Sequence, residues 1–247
     1  MLVKDAWWLA RKELQFYKIP LGFSVLATIL IAALISMNLE QTIRNATLPE
    51  MANDQFWFID FVFVLVTPSL SAIFMSGPYL SFRAIKEDPF SKRMAFYRSL
   101  PIPIKILALS RTIIMLITLT LLSIVFYSTI TIALHDRLFQ YLTFGEYFTF
   151  VLIWLGYAVA LGGMNPYIEY GTSGKVLHLF PYLAFVLFAF GIVLFYKIVG
   201  NGIVESTIML SLKIGLPIAI LFLLIGIVGC VIWHLLLTKR LSSKDYL

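Results

Sequence analysis

Six long apolar stretches joined by short polar connections account for most of this chain and confine it to a membrane. They run roughly over Ile19–Met37, Trp57–Phe82, Ile106–Leu134, Tyr147–Ile168, His178–Tyr196 and Ile214–Leu237. Each holds about the 20 residues that a helix rising about 1.5 Å per residue needs to cross about 30 Å of hydrocarbon. Of the 247 residues, 60% are hydrophobic and 13% charged, more apolar surface than a soluble domain of this size could hide. Backbone groups in hydrocarbon must be satisfied within helices or closed barrels, and continuous Leu/Ile/Phe-rich runs, rather than alternating ones, select helices. The expectation is an all-α membrane protein, one transmembrane domain of six spans.

The basic balance, net charge +6, reports topology rather than nucleic-acid binding. With the N-terminus placed in the cytoplasm, the inner side collects Lys4, Arg11, Lys12, Lys18, Arg83, Lys86, Lys92, Arg93, Arg98, Lys105, Arg111, Lys175, Lys239, Arg240 and Lys244. The outer side collects only Arg44, Arg137, Lys197 and Lys213. That positive-inside bias, with an even number of spans, puts both termini in the cytoplasm. The single cysteine, Cys230, lies in the last span and excludes an intrachain disulfide or cysteine cluster. Charge and cysteine usage fit a multi-pass protein of a bacterial inner membrane. The N-terminus is a poor signal peptide, because its charged region extends to Lys18 and the apolar run beyond is long enough to span.

Residues 2–18 read as an amphipathic helix in the cytoplasmic interface, with Val3, Trp7, Ala10, Leu14 and Tyr17 on one face and Lys4, Arg11, Gln15 and Lys18 on the other. It is either a lipid anchor or a connecting helix that also touches a cytoplasmic partner. In the first span Ser24, Thr28, Ala32 and Ser36 recur every four residues, a small-residue stripe for packing within the subunit or at a subunit interface. Gly156 and Ala160 make a weaker stripe. Asn45-Ala46-Thr47 in the outer loop matches a glycosylation sequon, a short pattern that is common by chance. The outer segment 197–213 is expected to be a short re-entrant helix broken around Gly200-Asn201-Gly202.

The loop 83–105 between spans two and three, RAIKEDPFSKRMAFYRSLPIPIK, carries the most information about function. Asp88 can cap a helix that starts at Pro89, runs to about Ser99 and stops before Pro101. This helix would present basic Lys92, Arg93 and Arg98 beside apolar Phe90, Met94, Phe96, Tyr97 and Leu100. Exposed aromatic and arginine side chains are the composition of a protein-binding surface, and a basic loop on anionic headgroups is the plainer reading. Glu87, then a short helix, then Ser99-Leu100-Pro101-Ile102, a basic residue and a long span resembles the ABC-2 type transporter permeases. The resemblance extends over six spans, the N-terminal amphipathic helix and the re-entrant outer segment. In this chain Pro89 and Phe90 follow the acidic position, where the family often has a small residue.

The resemblance implies a type V exporter-like architecture in which Glu87 to Pro101, with Asp88, couple the membrane subunit to an ATP-binding cassette ATPase. ATP and Mg would then sit on that partner, with no cofactor in this chain, and a second permease copy or a related permease would complete the route. The second cytoplasmic connection, Glu169 to Lys175 with Gly171 and Gly174, is glycine-rich and suited to moving against a partner. It is no phosphate loop: the required glycine falls on Glu169 and the required hydroxyl on Val176. His135, His178 and His234 are dispersed, without metal-site spacing. The acids in or near the spans, Asp60, Glu146, Glu169 and Glu205, are expected near span ends, within reach of water. Thr67, Ser69 and Ser71 beside Pro68 either pack or line a pathway.

The leading expectation is therefore the permease subunit of an exporter for an amphipathic or lipophilic cargo such as a peptide, antibiotic or lipid-linked molecule. It would not itself be an enzyme. The alternatives are an intramembrane enzyme, for which no catalytic cluster stands out, and a cassette-independent scaffold or immunity protein.

Overall fold

The computed structural model describes residues 2–48 and 57–244, and their regular structure is entirely helical. In chain order the helices are α1 Leu2–Phe16, α2 Lys18–Thr47, α3 Trp57–Ser69, α4 Gly77–Leu80, α5 Ala84–Glu87 and α6 Pro89–Ser99. They continue with α7 Ile104–Tyr141, α8 Phe144–Gly162, α9 Met164–Gly171, α10 Gly174–Val199, α11 Ile203–Lys213 and α12 Leu216–Ser243. Among the described residues five helical stretches are long and apolar enough to cross a membrane: α2, α7, α8 with α9, α10 and α12. This is the character of a multi-pass membrane protein.

The stretch 57–82, expected as one span kinked at Pro68, is broken instead. α3 ends at Ser69, residues 70–76 are irregular, and only the short α4 follows within it. Pro68 is the cause: it has no N–H, and its ring crowds the carbonyl four residues back. That carbonyl, Val64, accepts instead from the Tyr157 hydroxyl at 2.9 Å. Beyond the proline, Ser71 donates to the Pro68 carbonyl at 2.7 Å and the Gly162 carbonyl at 3.1 Å, and itself accepts from Asn165 Nδ2 at 2.5 Å. The Met75 N–H reaches Ser24 Oγ at 3.2 Å. Irregular backbone at membrane depth survives where protein satisfies it, and side chains from α2, α8 and α9 do so here. Ser71 is therefore a packing residue.

The small-residue stripe of α2 is buried within one copy. Ser24, Thr28, Ala32 and Ser36 are all 2% exposed or less, which leaves no part of the stripe for a subunit interface. The tightest crossing lies elsewhere, between α8 and α12. A Cβ on Gly156 would sit 2.4 Å from the Phe222 carbonyl oxygen, and one on Gly226 would sit 2.6 Å from the Gly156 carbonyl oxygen. These backbones touch, as small residues permit where lipid removes the hydrophobic drive.

Helix direction places α1, α6 and the C-terminal end of α12 together at one end of the bundle, and α11 with the α7–α8 turn at the other. At the far end Asp60 is buried, although the sequence put it within reach of water. Its Oδ1 accepts the Val204 N–H at 2.8 Å and so caps the first turn of α11. Glu205 is also buried. Asn45 of the sequon is buried inside α2.

Two apolar cores follow this division. The larger fills the bundle around Phe63, Phe126, Phe150 and Trp154. The smaller, with Leu9, Phe90, Met94, Leu107, Ile168, Tyr170 and Leu241, gathers α1, α6, α7, α9 and α12 at the termini end.

Candidate functional site

The segment 83–105 folds as its punctuation dictates. Asp88 adopts a left-handed conformation (φ 40°), and its carboxylate accepts the Ser91 N–H at 3.3 Å. Pro89 occupies the first helical position, and α6 ends at Ser99, short of Pro101. Its faces are divided differently from the expected all-round exposure. Phe90 and Met94 are buried in the smaller core, and Arg93 and Tyr97 turn toward the bundle. Lys92, Phe96, Arg98, Leu100 and Pro101 remain exposed, as does Glu87 on α5. Half of the expected docking surface is thus spent on holding α6 in place.

What holds it is a cluster of charges and phenols. Glu13 of α1 pairs with Arg111 of α7, and both are buried. Tyr97 donates to Glu13 Oε1 at 2.8 Å, and Arg93 stands 3.8 Å from the same oxygen while donating to the Tyr17 hydroxyl at 2.5 Å. The Arg111 guanidinium also donates to the Tyr170 hydroxyl at 2.9 Å and lies over the Tyr170 ring, 4.3 Å from its centre. Four helices, α1, α6, α7 and α9, meet at this one carboxylate–guanidinium pair. Cation–π stacking and charge-assisted bonds are both strongest in such a desolvated setting. Burial pushes the Tyr17 and Tyr97 phenols above their ordinary range.

Beside the pair lies a small cavity of about 40 Å³, lined by Glu13, Arg111, Glu169 and Tyr79 together with apolar residues such as Ile73, Phe90, Ile114 and Met115. It has room for ordered water, not for a substrate. Tyr79 closes it by donating to Glu169 Oε1 at 2.5 Å. Glu169, expected on a mobile connection, is a wall of this interior site.

The connection 169–175 is likewise held. A Cβ on Gly174 would sit 2.1 Å from the Ala84 carbonyl oxygen, and Gly171 lies against Arg240. Arg240 Nε donates to the Gly171 carbonyl at 2.9 Å. Lys244 donates to Ser91 Oγ at 2.9 Å and to the Thr172 carbonyl, tying the end of the chain to both loops. Burial pushes the Lys244 ammonium down from its ordinary value. Arg98 donates to the Lys244 carbonyl at 2.6 Å. The glycines here permit close approach, and Lys175 alone of the four expected residues is exposed.

Glu13, Arg111 and Tyr170 escaped the sequence reading, although a signal existed. Arg111 is the one charged residue inside the apolar run 106–134, and such a residue asks for a buried partner. Glu13 continues the protein-facing spacing of Ala6, Leu9 and Ala10, whereas Val3 and Trp7 of the expected apolar face are exposed. Among the described residues no group of three His, Cys, Asp or Glu is arranged to hold a metal. His234 is instead 2.9 Å from the Thr112 hydroxyl, and His178 is 3.1 Å from the Gly174 carbonyl. Comparison with protein-family models, with curated proteins and with solved structures finds no match to this chain.

Proposed function

We propose that this chain is the membrane subunit of an exporter of the ABC-2 kind, driven by ATP hydrolysis in a separate cassette ATPase bound at the termini end. On this reading that end is cytoplasmic, in keeping with the lysines and arginines that the helix directions collect there. The observation that carries the proposal is the two-faced character of α6. One face is keyed through Arg93 and Tyr97 to Glu13, and through Glu13 to Arg111 at the start of α7. The other offers Lys92, Phe96 and Leu100 to solvent at the same end. A partner that pushes on the exposed face moves α1 and the 38-residue α7 with it.

Two copies, or one copy with a related permease, would enclose a route for an amphipathic or lipophilic cargo. The cavity beside Arg111 is too small for such a cargo, so α6 acts here as a coupling element rather than as a binding site. The test is co-expression with each cassette ATPase of the source genome, followed by purification in detergent. Support is a complex of two membrane chains and two cassettes whose ATP hydrolysis drops when Phe96 is replaced by alanine. The reading fails if the chain purifies without any cassette, or if Phe96→Ala leaves assembly and hydrolysis unchanged.

A further inference from the structure

Two cavities lie along the inner face of α10. One, of 320 Å³, is bounded by the end of α3 and by α9; the other, of 420 Å³, is bounded by α8 and α11. Val64 and Phe188 line both, so the two form one crevice narrowed at those side chains. On α10 the lining positions Leu177, Pro181, Ala184, Phe188, Ile192 and Phe195 recur every three or four residues, a single helical face. The opposite wall repeats that spacing with Trp154, Tyr157, Leu161 and Asn165. From Leu177 to Phe195 the face is about 27 Å long at the helical rise, close to the thickness of a hydrocarbon core.

The crevice is mostly apolar, with the Tyr157 hydroxyl at its middle bonded to the Val64 carbonyl and other polar groups at its ends. Ser69, Tyr79 and Asn165 stand at the termini end, and Ser206 and Thr207 at the far end. Asn165 and Thr207 already have partners within the protein, since Asn165 donates to Ser71 and Thr207 accepts from Trp154 Nε1 at 3.2 Å. The Ser206 hydroxyl has almost no accessible surface and so does not open onto the crevice.

An apolar cavity of this size does not stay empty inside a bilayer. Its lining forfeits dispersion contacts when nothing fills it, and water finds few partners along it. The molecule present at that depth, with that length and width, is a hydrocarbon chain. α10 is built to admit one, because of its 26 residues only Gly174, Leu177, Ala184 and Ile192 are buried. Its outward residues Val186, Leu187 and Phe190 are between 64% and 71% exposed, a face for bulk lipid. Lipid tails are as apolar as the wall, so selectivity must come from length.

We infer that the α10 crevice is a binding site, complete within one copy of the chain, for a single-chain acyl lipid from the surrounding membrane. The site does not depend on the cassette reading and is tested without any ATPase. The probe is palmitic acid carrying a photoreactive diazirine, irradiated with the purified full chain in nanodiscs, with adducts located by peptide mass spectrometry. Adducts are expected on 181–195 and 153–165, and excess unlabelled palmitic acid should reduce them about tenfold, as one competed site requires.

Ala184→Phe should block the wider stretch beside α9. Gly191→Leu is the second blocking variant, since a Cβ there meets no atom within 4 Å. The inference is overturned if adducts spread over Val186, Leu187 and Phe190, resist competition, and are unchanged in both Ala184→Phe and Gly191→Leu.

Discussion

Glu13 and Arg111, 98 positions apart in sequence, form an ion pair buried where α1, α6, α7 and α9 meet. Two ions taken out of water are expensive, and their mutual attraction offsets that cost only when the remaining donors and acceptors are bonded. Tyr97 donates to Glu13, Arg111 donates to Tyr170, and Arg93 adds a positive charge 3.8 Å from Glu13, but Arg111 Nε and Nη2 are buried without a hydrogen-bond partner in the protein. The pair therefore fixes how α1 and α6 sit on the bundle more than it adds to stability.

Removing one partner strands the other. Glu13→Ala or Arg111→Met should each cost about 3–5 kcal/mol, whereas the double variant should recover much of that loss. Thermal unfolding followed by tryptophan fluorescence in one detergent checks the order. Additive losses in the double variant would mean the two residues do not act as a pair.

The helix pair α8–α12 depends on missing side chains. Gly226→Leu should push the two backbones apart and lower the melting temperature by many degrees, since its Cβ would meet the Gly156 carbonyl oxygen at 2.6 Å. Gly145→Ala, where a Cβ meets no atom within 4 Å, serves as the neutral comparison. Equal melting temperatures for the two variants would contradict the close crossing.

Asp60 holds the first turn of α11 through the Val204 N–H. Asp60→Ala should cost about 0.5–2 kcal/mol, the range for a lost helix cap, while Asp60→Asn keeps an acceptor and should cost less. Hydrogen exchange resolves the effect by site. Faster exchange confined to 203–207 is expected, and a bundle-wide increase would count against a local cap.

The C-terminal end of α12 clamps the connection before α10. Arg240→Ala removes the bond to the Gly171 carbonyl and should speed proteolysis at 172–176 severalfold. Unchanged cleavage there would show that the glycine contacts alone hold the connection.

Much of α6 was legible because its signals are local: Asp88 and Pro89 start it, and Pro101 prevents its continuation. The same holds for the five helices whose apolar runs are uninterrupted. Two things were not legible, for one physical reason. Pro68 announces a kink, but whether the chain resumes as helix depends on Tyr157, Asn165 and Ser24, each far away in sequence. The inward turn of Phe90, Met94 and Arg93 likewise depends on α1 and α9 arriving opposite. Periodicity reports which face of a helix is apolar, and only tertiary contact decides whether lipid, protein or a partner covers it.

The most direct test of the exporter reading asks what touches the exposed face of α6. Cys230 is the only cysteine, so Cys230→Ala gives a background on which Phe96→Cys, at a position 61% exposed, places one reactive thiol on that face. With a cassette ATPase co-expressed, a bifunctional thiol–amine reagent should join the two chains into one species, and the yield should change when ATP is added. Leu48→Cys, at the opposite end of the bundle, should give none. If Phe96→Cys joins no cassette subunit, or joins it no better than Leu48→Cys, α6 is not a coupling helix and the exporter reading is wrong.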